Sequence, residues 1–174
     1  MSTAREGQSG PVLLSYDGSE PARQAIERAG RVLGGGTAVV LTVWESVGSA
    51  ILRHTPSEAT ELGWEAKEIS EDVVAELDAS TEKRAQATAG EGAELAAAAG
   101  FDVRPLAPRA LARAAERDAA TVWRAVLATA DEEHAEVIVL GSRGRSGLTS
   151  FLLGSVSYGV VHHSARPVLI VPPS

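Results

Sequence analysis

Hydrophobic positions along this chain alternate between short unbroken runs and stripes with spacings of three and four. Pro11-Val-Leu-Leu-Ser-Tyr16 is a run ended by Asp17-Gly18, and it predicts a first strand. Ser19-Glu-Pro21 then starts a helix, with Ser19 as N-cap and proline in the first turn, where no N–H is needed. Ala22, Ala25, Ile26, Ala29, Val32 and Leu33 form its apolar stripe, and Gly34-Gly-Gly36 stops it. Thr37 to Trp44 predicts a second strand. It is rich in β-branched residues and apolar almost throughout, as suits a parallel strand covered on both faces.

From about Ser57 to Ala99 the spacing is helical, in two expected pieces. Ala59, Leu62, Ala66, Ile69, Val73 and Leu77 recur at three and four in the first piece. The second, from Lys83, is alanine-rich and interrupted by Gly90 and Gly92. Phe101-Asp-Val-Arg-Pro-Leu106 predicts a third strand, and Pro105 places it at or near an edge. Thr121 caps a helix with the stripe Val122, Val126, Leu127 and Ala130. Glu136 to Leu140, about Ser155 to Ser164, and Pro167 to Val171 complete the pattern as strand, helix and strand. Alternation of this kind predicts one α/β domain. It would be a doubly wound, Rossmann-like, five-stranded parallel sheet with helices on both faces and right-handed crossovers. Residues 11–174 are assigned to that domain and residues 1–10, small and polar, to a disordered tail.

The segment after the fourth strand carries the candidate chemistry. Gly141-Ser-Arg-Gly144-Arg-Ser-Gly147 follows an apolar run, and Gly154-Ser155 opens the next helix. Glycines let backbone N–H groups approach a ligand, and a helix start adds unpaired N–H groups and the positive end of its dipole. Charge agrees. The chain holds 16 Lys+Arg and 23 Asp+Glu, a net charge of −7, yet no carboxylate side chain follows Glu136. Arg143, Arg145 and Arg166 all lie in that acid-free stretch. An acidic protein that keeps carboxylates off one glycine-rich loop favours a negative ligand there. Arg143 and Arg145 either reach phosphate or face water. Arg109, Arg113 and Arg117, four apart, form either a solvated face or a basic ridge over the loop.

Other classes are excluded or disfavoured. The acidic balance and lack of a basic stripe speak against nucleic acid as partner. No apolar run approaches the length of a membrane span, and no export signal is evident, so a cytoplasmic location is expected. Cysteine is absent, which removes thiolate and disulfide chemistry. The adjacent His162 and His163 cannot share one helical face as a metal pair.

The chain resembles the universal stress protein family, in its nucleotide-binding form. Gly141-x2-Gly144-x9-Gly154-Ser155 fits the family's G-x2-G-x9-G-[S/T] signature, and Leu14-Ser-Tyr-Asp17-Gly18-Ser19 fits its opening. Gly154-Ser-Val-Ser157 and Arg166-Pro-Val-Leu-Ile-Val171 fit its C-terminal pattern. The resemblance implies ATP, or another adenine nucleotide, with Mg²⁺. Gly141, Ser142, Arg143 and Gly144, with Gly154, Ser155 and Val156, would hold the phosphates. Asp17 would stand near the ribose, the adenine side or a phosphate-bound Mg²⁺. Val43 and Trp44 would give backbone contacts to adenine, with Trp44 a core or rim residue. The resemblance also implies a homodimer through residues 167–171, an apolar terminal strand flanked by prolines.

Three function classes follow: a nucleotide-dependent regulatory module, a slow ATP hydrolase, and a nucleotide-free dimeric interaction module. A G-x4-G-K-[S/T] loop is absent, the last lysine is Lys83, and no general base is evident in the glycine loop. At most slow hydrolysis is expected, and the intact glycine spacing argues against a nucleotide-free module.

Overall fold

A computed structural model describes residues 10–46, 71–106, 121–142 and 153–173. Strands β1 (Val12–Ser15), β2 (Gly36–Leu41), β3 (Phe101–Leu106), β4 (Val137–Gly141) and β5 (Val168–Val171) form one parallel sheet in the order β3-β2-β1-β4-β5. Helices α1 (Glu20–Leu33), α2 (Glu71–Ala98), α3 (Thr121–Glu132) and α4 (Ser155–His163) lie between them in the chain. The expected doubly wound α/β class is what the chain adopts. The order runs outward from β1 to β3, then restarts on the far side of β1 at β4. Keeping one crossover hand through that reversal requires the helices to change faces. They do so. Leu14, Tyr16, Val40 and Val139 pack with α1 and α2, while Leu13, Val39, Leu41, Ile138 and Leu140 pack with α3 and α4.

Local signals set the first helix as expected. The Ser19 hydroxyl accepts the Ala22 N–H at 3.3 Å, proline occupies the first turn, and Gly34 closes the helix in the left-handed region at φ 76°. Ala22, Ala25, Ile26 and Ala29 are buried, whereas Val32 and Leu33, at the end of the expected stripe, are exposed. Gly30 lets α1 reach the end of α2: a β-carbon there would sit 2.3 Å from the Ala99 carbonyl oxygen.

Three expectations need correction. The second strand stops at Leu41, not Trp44, because the Thr42 hydroxyl turns back to donate to the Tyr16 carbonyl at 2.8 Å. The helix read as broken at Gly90 and Gly92 is continuous from Glu71 to Ala98. Gly92 is a contact point and not a breaker. A β-carbon on it would lie 2.7 Å from the Tyr16 ring and 2.8 Å from Val40 Cγ1. The stripe expected to continue through Val73 and Leu77 is exposed, at 47% and 42%. Asp78 turns inward instead and accepts the Ser46 hydroxyl at 2.8 Å. The start of that stripe, Ala59 to Ile69, lies outside the described residues.

The sheet has unlike edges. β3 carries Pro105 and the exposed Asp102 and Arg104, with Arg104 paired to Glu133. β5 carries only Val168, Leu169, Ile170 and Val171.

Candidate functional site

Parallel sheets of this kind bind ligands beyond the carboxyl ends of their strands, where the order reverses. Here that point lies between β1 and β4, which pair directly with Leu14 opposite Val139. Ser15 stands opposite Leu41 of β2. Counted on along the β1/β4 ladder, Asp17 and Ser142 reach one level at the carboxyl edge, and Val43 follows two residues after the end of β2. The chain order thus brings together three residues that are far apart in sequence.

On the β1 side, Asp17 is half-buried, and its Oδ1 accepts the Ser19 N–H at 3.0 Å. This turn needs Gly18, whose φ of 81° suits a residue without a β-carbon. On the β4 side, the Ser142 N–H donates to Val171 at 2.8 Å, and the Ser142 carbonyl accepts the Gly154 N–H at 2.9 Å. The buried Ser157 hydroxyl donates to the Gly141 carbonyl at 2.8 Å. These bonds tie the start of α4 to the end of β4. The first N–H of the α4 ladder is that of Tyr158, bonded to Gly154. The N–H groups of Ser155, Val156 and Ser157 precede that ladder, as at any helix start. No acid lies in the first turn of α4, so nothing cancels its dipole there.

Gly154 is informative for a different reason. Its φ of −61° and ψ of 158° are open to any residue. The backbone does not demand glycine, and what sets it apart is the lack of a side chain at the helix start. Its own N–H is engaged by Ser142, which leaves Ser155, Val156 and Ser157 as the helix-start N–H groups outside the ladder. On the β2 side, Val43 is half-buried and Trp44 is 7% exposed, a core position. Arg143, Gly144, Arg145 and the basic residues Arg109, Arg113 and Arg117 lie outside the described residues.

Sequence reasoning missed a cluster beneath Asp17. Tyr16 is 1% exposed, and its hydroxyl donates to Glu91 Oε1 at 2.8 Å. Arg23 reaches the same oxygen at 2.6 Å. Burial, the hydrogen bond to Glu91 and the Glu91 charge push the Tyr16 phenol up to about 12, against a smaller opposing pull from Arg23. The signal available was a tyrosine closing an apolar strand, since a buried phenol needs a partner. The folded state holds this proton more tightly than the unfolded chain. Its contribution is complete below pH 10 and is lost as pH rises to about 12. Urea unfolding of the parent chain should lose on the order of 2 kcal/mol across that window. Tyr16→Phe should remove this part of the slope.

The paired histidines stack on two different aromatic rings. His163 stacks on Trp123 with ring centroids 4.4 Å apart, and His162 stacks on Tyr158 at 3.9 Å. Among the described residues, no group of three or more His, Asp or Glu is placed to hold a metal ion. Among the same residues, no helix is long and apolar enough to cross a membrane.

Comparison with known proteins adds to this geometry. The family described as the Universal stress protein family matches residues 9–172. A universal stress protein of Methanocaldococcus jannaschii is 39% identical over 46 residues, which are 26% of this chain and 28% of that protein. The solved structure of the same archaeal protein superposes with a TM-score of 0.70 at 20% identity, over 96% of this chain and 98% of that one. An Archaeoglobus fulgidus universal stress protein solved in complex with dAMP gives a TM-score of 0.51 at 18% identity, over 94% and 98% of the two chains. A universal stress protein solved in complex with cAMP gives 0.53 at 23%, over 96% and 99%. The family match spans nearly the whole described fold, and these structures share that fold, so the chain belongs to the universal stress protein family.

Proposed function

We propose that the protein is a stress-response module that binds ATP, or another adenine nucleotide, in the crevice between Asp17 and the Gly141–Ser155 segment. The observation that carries this reading is the convergence of Asp17, Ser142 and an acid-free helix start on the β1/β4 reversal point. Phosphates would take the Ser155 and Val156 N–H groups and the dipole of α4. From the motif, Gly141, Ser142, Arg143 and Gly144 would close around them. Asp17 would face the ribose or the adenine side, and the backbone of Val43 and Trp44 would meet adenine. Two related folds solved with cAMP and dAMP support an adenine nucleotide as the ligand class. Mg²⁺ would arrive on the phosphates, with Asp17 a candidate protein ligand. The positive residues and helix dipole favour binding over turnover, and the sequence from Gly141 to Ser155 contains no general base. A binding module in the cytoplasm that changes partner affinity with nucleotide state is the role we infer.

Calorimetric titration of nucleotide-stripped protein with ATP and Mg²⁺, followed by an assay for ADP release, tests this. Micromolar binding without turnover is the expected result. No binding at millimolar ATP would overturn it, and steady ADP production would put a slow hydrolase in its place.

The partner we infer is a second copy of the chain. The carbonyls of Pro167 and Val171 accept bonds from β4, so the alternate positions Val168 and Ile170 present their backbone groups outward. An apolar edge with free backbone groups favours strand addition, whereas Pro105, Asp102 and Arg104 disfavour it at β3. Antiparallel pairing of β5 with itself gives a closed two-fold dimer. Sedimentation equilibrium should return twice the chain mass, and Ile170→Pro, which removes an outward N–H, should shift it toward the monomer.

A further inference from the structure

We infer that Tyr16 and Glu91 are positioning residues for Asp17: α2 grips the turn after β1 and sets where the Asp17 carboxylate stands at the ligand. This rests on the site reading above.

The grip is built from one face of α2. Thr88, Glu91 and Gly92 are spaced three and four apart, so they share a face of the helix. All three face the same short segment. Gly92 allows the Tyr16 ring against the helix backbone. Glu91 takes the Tyr16 hydroxyl at 2.8 Å. The Thr88 methyl lies 3.6 Å from where a β-carbon on Gly18 would be. Tyr16 is held on its other sides as well. Its N–H donates to Leu41 at 2.9 Å, and its carbonyl accepts the Thr42 hydroxyl at 2.8 Å. Asp17 therefore follows a fixed neighbour, and its own Oδ1 is engaged by the Ser19 N–H at 3.0 Å.

Glu91 also joins the two helices on this face. Its Oε1 receives Arg23 of α1 at 2.6 Å as well as the Tyr16 hydroxyl. Both charged side chains are substantially exposed, so the pair contributes little to stability. Its value is geometric: it holds the carboxylate where the phenol can reach it. A site keeps its geometry only when the residues behind it are themselves locked.

The test is a set of calorimetric titrations of the full chain with ATP and Mg²⁺, each variant checked by its urea midpoint. Tyr16→Phe and Glu91→Ala are each expected to weaken binding about tenfold. Glu91→Gln should restore it, because an amide oxygen still accepts the phenol proton. In an Asp17→Ala background, Glu91→Ala should add no further loss, since its effect runs through Asp17. Independent, multiplying losses from Asp17→Ala and Glu91→Ala would overturn the inference, as would parent-like binding by both Tyr16→Phe and Glu91→Ala. Parent-like binding by Asp17→Ala would overturn the site reading and this inference with it.

Discussion

Gly154→Leu is expected to reduce adenine-nucleotide affinity by about a hundredfold or more while the protein stays folded. Gly154 stands at the N-cap of α4 with φ −61° and ψ 158°, a conformation that leucine adopts without strain. Its N–H bond to Ser142 involves only backbone and survives the change. A glycine N-cap contributes modestly, so the helix itself should lose no more than about 1 kcal/mol. The leucine side chain, however, would fill the space beside the Ser155 and Val156 N–H groups, where the phosphates are proposed to lie. Titration calorimetry reads the affinity, and a urea midpoint near that of the parent chain separates blocked binding from unfolding. Parent-like affinity in a folded variant would sink the phosphate assignment.

The second large effect concerns two glycines in one helix. Gly92→Val is expected to cost about 3 kcal/mol, whereas Gly90→Ala should stabilise by about 0.5–1 kcal/mol. Both positions lie in the interior of α2. A β-carbon at Gly90 meets nothing within 4 Å, so alanine only improves helix propensity. At Gly92 the same atom would press on the Tyr16 ring and on Val40, both fully buried between helix and sheet. Neither neighbour can swing into solvent, so helix and sheet must separate. Urea denaturation of the two variants should move the midpoint in opposite directions. Destabilisation by Gly90→Ala, or tolerance of Gly92→Val, would contradict the packing described for α2.

This contrast also shows what the sequence can and cannot express. Strands buried on both faces appear as unbroken apolar runs, so β1, β2, β4 and β5 were legible within a few residues. Pro105 correctly pointed β3 to an edge. Local caps such as Ser19 and Gly34 act within one turn and could be read directly. Contacts between distant segments could not. Gly92 reads as a helix breaker until Tyr16 is known to lie under it, and the Tyr16–Glu91 bond links residues 75 positions apart. The end of β2 was overread because Thr42-Val-Trp44 has strand composition, while the Thr42 hydroxyl bond to Tyr16 draws the chain off the ladder. For the candidate site, the glycine spacing named the segment. The pairing of β1 with β4 is what brings Asp17 level with the start of that segment, Ser142.

The length of α2 has a mechanical consequence. Its 28 residues extend about 42 Å, while the six-residue strands it covers extend about 20 Å. Its last turn is fastened at the amino edge of the sheet, where Gly30 of α1 meets Ala99. The surplus length therefore projects past the carboxyl edge, the same edge that holds Asp17. About 31 Å of helix lie between Gly92 and Glu71. Asp78, bonded to Ser46 after β2, and the buried Ala85 and Ala89 tie that length down along the way, so it stands as a fixed flank of the carboxyl edge.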